Sequence, residues 1–158
     1  MPAAAIYDFD VVKHKEVETE ERTLWRAILS SSNVESFKFD CLEKDRQYIE
    51  SEIRKLNKKK GRNEEKGYFK KLASDEIGEE LSKRIPKLLN ELKGYGIFIV
   101  PIGEVEHWLR EVPDTHEEVL INLLNKIDKT TPTGFDIWKF IDDINIWISN
   151  PNRKGMFR

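Results

Sequence analysis

Carboxylates stand at the ends of the two segments of this chain that read most clearly as β-strands. The first, Ala3-Ala4-Ala5-Ile6-Tyr7-Asp8-Phe9-Asp10, closes on two aspartates, and the second, Gly96-Ile97-Phe98-Ile99-Val100-Pro101-Ile102-Gly103, runs into Glu104-Val105-Glu106. Hard divalent ions take oxygen ligands, and carboxylates on a rigid strand end hold such an ion while leaving water positions open for a phosphate. In an open α/β sheet, ligands collect beyond the carboxyl ends of parallel strands, so acids at two such ends converge however far apart they are in sequence. Side chains two apart on a strand share a face, which brings Asp8 and Asp10 together if the strand continues through Asp10. The competing explanations are structural. Asp8 and Asp10 can begin a loop and cap its first turn, and Glu104 and Glu106 can complement the dipole of the helix they open. The coincidence of acids at both strand ends favours the metal.

Other polar residues say less. His107, beside Trp108, reads as a helix-surface histidine, and His14 and His116 lie in polar stretches with no assigned role. A basic run, Arg54, Lys55, Lys58, Lys59, Lys60, Arg62, Lys66, Lys70 and Lys71, is interrupted by Glu64 and Glu65. Such runs are usually solvated faces; as a binding surface this one would grip a phosphate backbone through Lys58, Lys59, Lys60 and Arg62, with Tyr68 and Phe69 placed to stack a base. Lys139 and Lys154 are available as cations near a phosphate, but their spacing selects neither.

The elements that must position these groups are mostly helical. Apolar residues at helical spacing predict helices over Glu16 to Leu29, Asp40 to Leu56 and Asp75 to Leu92, the last kinked or divided at Pro86. After the second strand, Val105 to Glu111, Glu117 to Ile127 and Phe135 to Ile148 follow, with Thr115 and Glu118 forming a capping box. In the last helix Ile137, Trp138, Ile141, Ile144 and Ile148 are predicted to face inward, leaving Phe140 and Trp147 as a contact surface. So many helices need more sheet than two strands provide, because a two-stranded sheet is marginal alone. Either short strands lie near Ser36 to Phe39, or earlier strands belong to a longer protein; the second option is preferred.

Composition bounds the partners. The 158 residues are 39% hydrophobic, with four Trp and eight Phe, enough for one domain with a core. Charged residues make up 35%, yet the net charge is only -2, so no global field steers the chain toward nucleic acid or membrane. Cys41 is the single cysteine and no apolar run nears the roughly 18 residues that span a bilayer, so a reducing, cytoplasmic setting without membrane is the expectation.

The stretches Ala5-Ile6-Tyr7-Asp8-Phe9-Asp10-Val11 and Gly96-Ile97-Phe98-Ile99-Val100-Pro101-Ile102-Gly103-Glu104-Val105-Glu106-His107-Trp108-Leu109 resemble the TOPRIM portion of OLD-family nucleases, in which an ABC-type ATPase is joined to a TOPRIM nuclease, several of them acting against phage. The resemblance implies a Rossmann-like α/β fold with core strands near 3–8 and 96–102, a helical insertion over 16–93 and C-terminal helices over 104–148. It implies a metal-dependent DNA endonuclease with Asp8, Asp10, Glu104 and Glu106 as catalytic and metal-binding residues. Two Mg²⁺ or Mn²⁺ ions are its cofactors, DNA its substrate, an upstream ATPase its partner, and a homo-oligomer its setting. The family's glutamate on an earlier strand has no counterpart here, and there is no Gly-x-x-x-x-Gly-Lys phosphate loop. Both absences fit a fragment of a larger domain. A second resemblance, of Asp8-Phe9-Asp10-Val11-Val12 to the first motif of haloacid-dehalogenase-like phosphatases, would use Asp142-Asp143 as a late acidic pair, but that family's Ser or Thr after a following strand is missing. A non-catalytic interaction module is the third reading.

Overall fold

The computed structural model describes residues 4–13, 24–32, 34–63, 67–69, 77–101, 103 and 137–154. Two short strands, β1 (Ala5–Tyr7) and β2 (Ile97–Ile99), form a parallel pair with Ala5 opposite Ile97, Ile6 opposite Phe98 and Tyr7 opposite Ile99. Parallel neighbours require a crossover. Among its described residues are three helices: α1 (Leu24–Ser31), α2 (Ser36–Lys59) and α3 (Gly78–Lys93). A last helix, α4 (Ile137–Ser149), follows β2.

Alternation along the strands assigns the two faces. Ile97 and Ile99, with Tyr7 beside them, join the main core of Phe9, Trp25, Leu42, Ile49, Ile53 and the α3 stripe. Phe98 and Val100 point the other way into a smaller cluster with Ile137, Phe140 and Trp147 of α4. The sheet is therefore covered on both sides, which explains why every residue of β2 is buried. This is a helix-rich α/β arrangement around a small parallel sheet.

The buried stripes of α2 and α3 are those the sequence predicts: Leu42, Ile49 and Ile53 on one, Leu81, Ile85, Leu88, Leu89 and Leu92 on the other. Three details differ. Ser36 to Phe39 open α2 and are not a strand. A single α3 runs through Pro86, which excludes the division there. Phe140 and Trp147 are buried while Ile148 is exposed, so α4 is rotated from the predicted stripe. The rotation follows from Trp147: its indole lies where a Cβ on Gly96 would be, its Nε1 donates to the Gly94 carbonyl at 3.2 Å, and its ring meets Phe98 edge-on at 6.3 Å. Phe140 meets the same phenyl ring at 6.1 Å.

Helix directions follow from ion pairs. Lys38 pairs with Glu91, and Asp45 with Arg84 and Lys87, so α2 and α3 are antiparallel. The Gly94–Gly96 turn reverses α3 into β2, which makes α2 run in the strand direction. Tyr95, just before β2, donates its hydroxyl to Glu35, just before α2, so helix and strand start at the same end.

Candidate metal centre at the strand carboxyl ends

Pairing continues past the formal strand ends. Val100 N–H donates to the Tyr7 carbonyl at 2.9 Å, and Phe9 N–H donates to the Gly103 carbonyl at 2.7 Å. The backbone at Asp8 and Phe9 thus lies against Gly103, whose next residue in the chain is Glu104. Gly103 has φ 103°, a conformation open to glycine and rarely adopted by other residues. Glu104 and Glu106 themselves, with His14, His107, Trp108 and His116, lie outside the described residues, as do the helices predicted over Val105 to Glu111 and Glu117 to Ile127.

The strand does not continue through Asp10. After Tyr7 the chain enters a 3-10 turn, Phe9–Val12, with Asp8 at its head. A shared strand face is therefore not what relates Asp8 to Asp10. Both acids are nevertheless exposed, because Phe9, Val11 and Val12 between and after them are buried. Asp8 makes no side-chain capping bond to the turn it begins, so the capping explanation lacks its hydrogen bond. Two exposed carboxylates on a turn anchored by three apolar side chains suit a hard cation that keeps part of its water. They are not sufficient alone: among the described residues no group of three acids, histidines or cysteines could hold a metal ion.

The turn is also held from behind by a group the sequence reading missed. Arg46 of α2 is only 5% exposed and donates to the Val12 carbonyl at 2.8 Å. It pairs with Glu50 at 2.7 Å and with Glu43 at 2.7 Å, and Arg54 reaches the other oxygen of Glu50 at 2.8 Å. Burial opposes the guanidinium's charge, but Glu43 and Glu50 outweigh it and hold its pKa above the usual arginine value. The signal was present: residues 42, 46, 49, 50, 53 and 57 share one helical stripe, and three of them are polar. A polar group on a buried stripe needs partners.

The remaining candidates are separated from the acids. Lys154 approaches Glu35 at 3.5 Å, at the end where the strands begin, and Lys139 is exposed on α4. There the Tyr95 hydroxyl holds the Glu35 carboxyl below its ordinary pKa, and burial followed by that carboxylate pushes the Tyr95 phenol up to about 12. Asp143 pairs with Lys93 at 2.5 Å, a bridge between α4 and α3 that accounts for one member of the late acidic pair. Lys58, Lys59, Lys60 and Arg62 are exposed at the end of α2. Tyr68 and Phe69 are fully buried, so they do not stack a base; they instead carry Arg62 and Arg54 on their rings at 4.7 and 5.9 Å.

No protein-family model, curated protein or solved structure matches the chain. Among the described residues, no helix is long and apolar enough to cross a membrane.

Proposed function

We propose that this chain is a TOPRIM-type nuclease domain similar to that of OLD-family ATP-dependent endonucleases, hydrolysing phosphodiester bonds in DNA with Mg²⁺ or Mn²⁺. The observation that carries the reading is the hydrogen bond from Phe9 N–H to the Gly103 carbonyl at 2.7 Å. It sets the Asp8–Asp10 turn beside the residue preceding Glu104, at the carboxyl ends of adjacent parallel strands, where α/β folds bind ligands. Asp8 and Asp10, with Glu104 or Glu106, are the assigned ligands. A divalent ion bound there would supply an activated water and charge stabilisation for a leaving oxygen. The chain's own contribution is positional: buried Phe9, Val11 and Val12 fix the turn, and Arg46 holds its last carbonyl. The same reading calls for an ATPase domain and a further strand-borne glutamate outside these 158 residues, and for a homo-oligomeric assembly.

Calorimetric titration with Mn²⁺ and Mg²⁺ tests the assignment. The chain is expected to bind ion, and Asp8→Ala with Asp10→Ala to lose the binding while retaining its circular dichroism spectrum. Absence of ion binding in the unaltered chain removes the metal reading, and turnover of a small phosphate ester lost with Asp8 alone would move the assignment to a phosphatase.

A further inference from the structure

The end of α2 overhangs the acid-bearing end of the sheet. α2 begins at the strand-starting end, where Glu35 accepts from Tyr95, and it meets the Asp8–Val12 turn through Arg46. From Arg46 to Lys59 the helix rises about 1.5 Å per residue, so its tip stands roughly 20 Å beyond that turn. Lys58 and Lys59 occupy its last turn, followed by exposed Lys60 and Arg62. Cations at a helix carboxyl end offset its dipole, an effect that falls off within a turn, and Arg62 also lies over the Tyr68 ring at 4.7 Å.

The tip is a built feature. Gly61 takes φ 63°, Arg62 N–H donates to the Asn57 carbonyl at 2.9 Å, and the Asn57 side chain accepts from Tyr68 N–H at 3.1 Å. These bonds fold residues 67–69 back under the basic turn. Neither Lys58 nor Lys59 makes an ion pair among the described residues, unlike Lys55, which is tied to Glu52 at 2.6 Å.

We propose that this tip, Lys58 to Arg62, binds the phosphate backbone of duplex DNA and holds it along the overhang of α2. A gap of about 20 Å corresponds to some six nucleotide steps of 3.4 Å, so a duplex gripped at the tip and running parallel to α2 passes the acidic turn about half a helical turn away. Burial of Tyr68 and Phe69 removes the aromatic platform that single-strand binding uses, leaving contacts to backbone charge. It equally removes the apolar face that an interfacial membrane helix inserts. The passage past the acidic turn rests on the phosphodiester reading above; the phosphate contact at the tip does not.

Fluorescence anisotropy with a labelled duplex, in EDTA and between about 50 and 200 mM salt, tests the proposal. Each lost phosphate contact makes the slope of log affinity against log salt shallower by about 0.9. Lys58→Gln with Lys59→Gln should therefore lower the slope by about 1.8 and weaken binding about tenfold or more near 100 mM salt. Glutamine keeps helix propensity at these exposed positions, and Lys58→Glu with Lys59→Glu should give a larger loss. Lys44→Glu with Lys83→Glu, the same charge change on the shafts of α2 and α3, should leave the slope unchanged. Equal losses in the tip and shaft variants, no duplex binding by the unaltered chain, or tighter binding to single strands than to duplex would each overturn the proposal. Because no divalent ion is present, tip binding without ion binding removes the nuclease reading and keeps the tip, and the reverse result does the opposite.

Discussion

Replacing Arg46 tests the anchoring of the acidic turn. Arg46→Met keeps an unbranched side chain of similar length but removes the guanidinium from a site where the residue is 5% exposed. Four hydrogen bonds disappear: one to the Val12 carbonyl at 2.8 Å, one to Glu50 at 2.7 Å and two to Glu43 at 2.7 and 2.9 Å. Breaking a buried ion pair from one side costs about 3–5 kcal/mol, mostly because the remaining charge is stranded. Here Glu50 keeps Arg54, and Glu43 is half-buried and regains water, so the low end applies. The expected loss is about 3 kcal/mol, of which the orphaned Val12 carbonyl accounts for about 1 or more. That is a large share of a typical stability of about 5–15 kcal/mol. Urea denaturation with linear extrapolation measures it. Arg46→Met with Glu50→Leu removes the more buried of the two carboxylates, and Arg54, which then loses its bond to Glu50, is part-exposed and returns to water, so the double variant should recover part of the loss. Hydrogen exchange supplies a local readout: the amides of Val11 and Lys13, which donate within the turn to Asp8 and Asp10 carbonyls, should exchange faster in the single variant. A single-variant loss below about 1 kcal/mol, or a double variant no more stable than the single one, would refute the reasoning.

Gly96→Ala should cost about 2–4 kcal/mol by thermal or chemical denaturation, since its Cβ would run into the Trp147 indole at a backbone φ of 79°; a loss under about 1 kcal/mol would show that α4 shifts freely. Ultraviolet titration should find a phenol ionising near 12 that disappears in Tyr95→Phe. Its folded pKa lies above the ordinary 10.0, so its stabilisation is complete below that value and is lost as pH rises toward 12. Glu35 has the opposite sign: its folded pKa lies below 4.5, so its contribution is present above that value and lost as pH falls through the folded one. Carbon-detected NMR should accordingly place Glu35 below 4.5 in the unaltered chain and nearer that value in Tyr95→Phe; no upward movement would deny the bond its role.

Local pattern was enough wherever one periodicity dominated. The stripes of α2 and α3, the strand at Ile97 and the aspartates at the end of the first strand could be read directly, because an apolar residue at helical or alternating spacing has one face to bury. Register errors arose where side chains of similar hydropathy competed. In α4, Ile148 and Trp147 are both apolar, and only the missing Cβ of Gly96 and the edge of Phe98 select the tryptophan. Tyr68 and Phe69 read as exposed companions of lysines until the fold placed them beneath the basic turn.

By itself, then, the sequence determined that acids follow two strands and that long amphipathic helices must cover them, since both are consequences of residue type and local period. Tertiary structure alone decided that the strands are parallel neighbours, that the chain leaves extended geometry at Asp8, and that Arg46 is buried against Val12. The reason is physical. Which strand end meets which, and which polar side chain is sealed from water, depend on the direction of the crossover and on helix packing, and those are set by contacts between residues far apart in the chain.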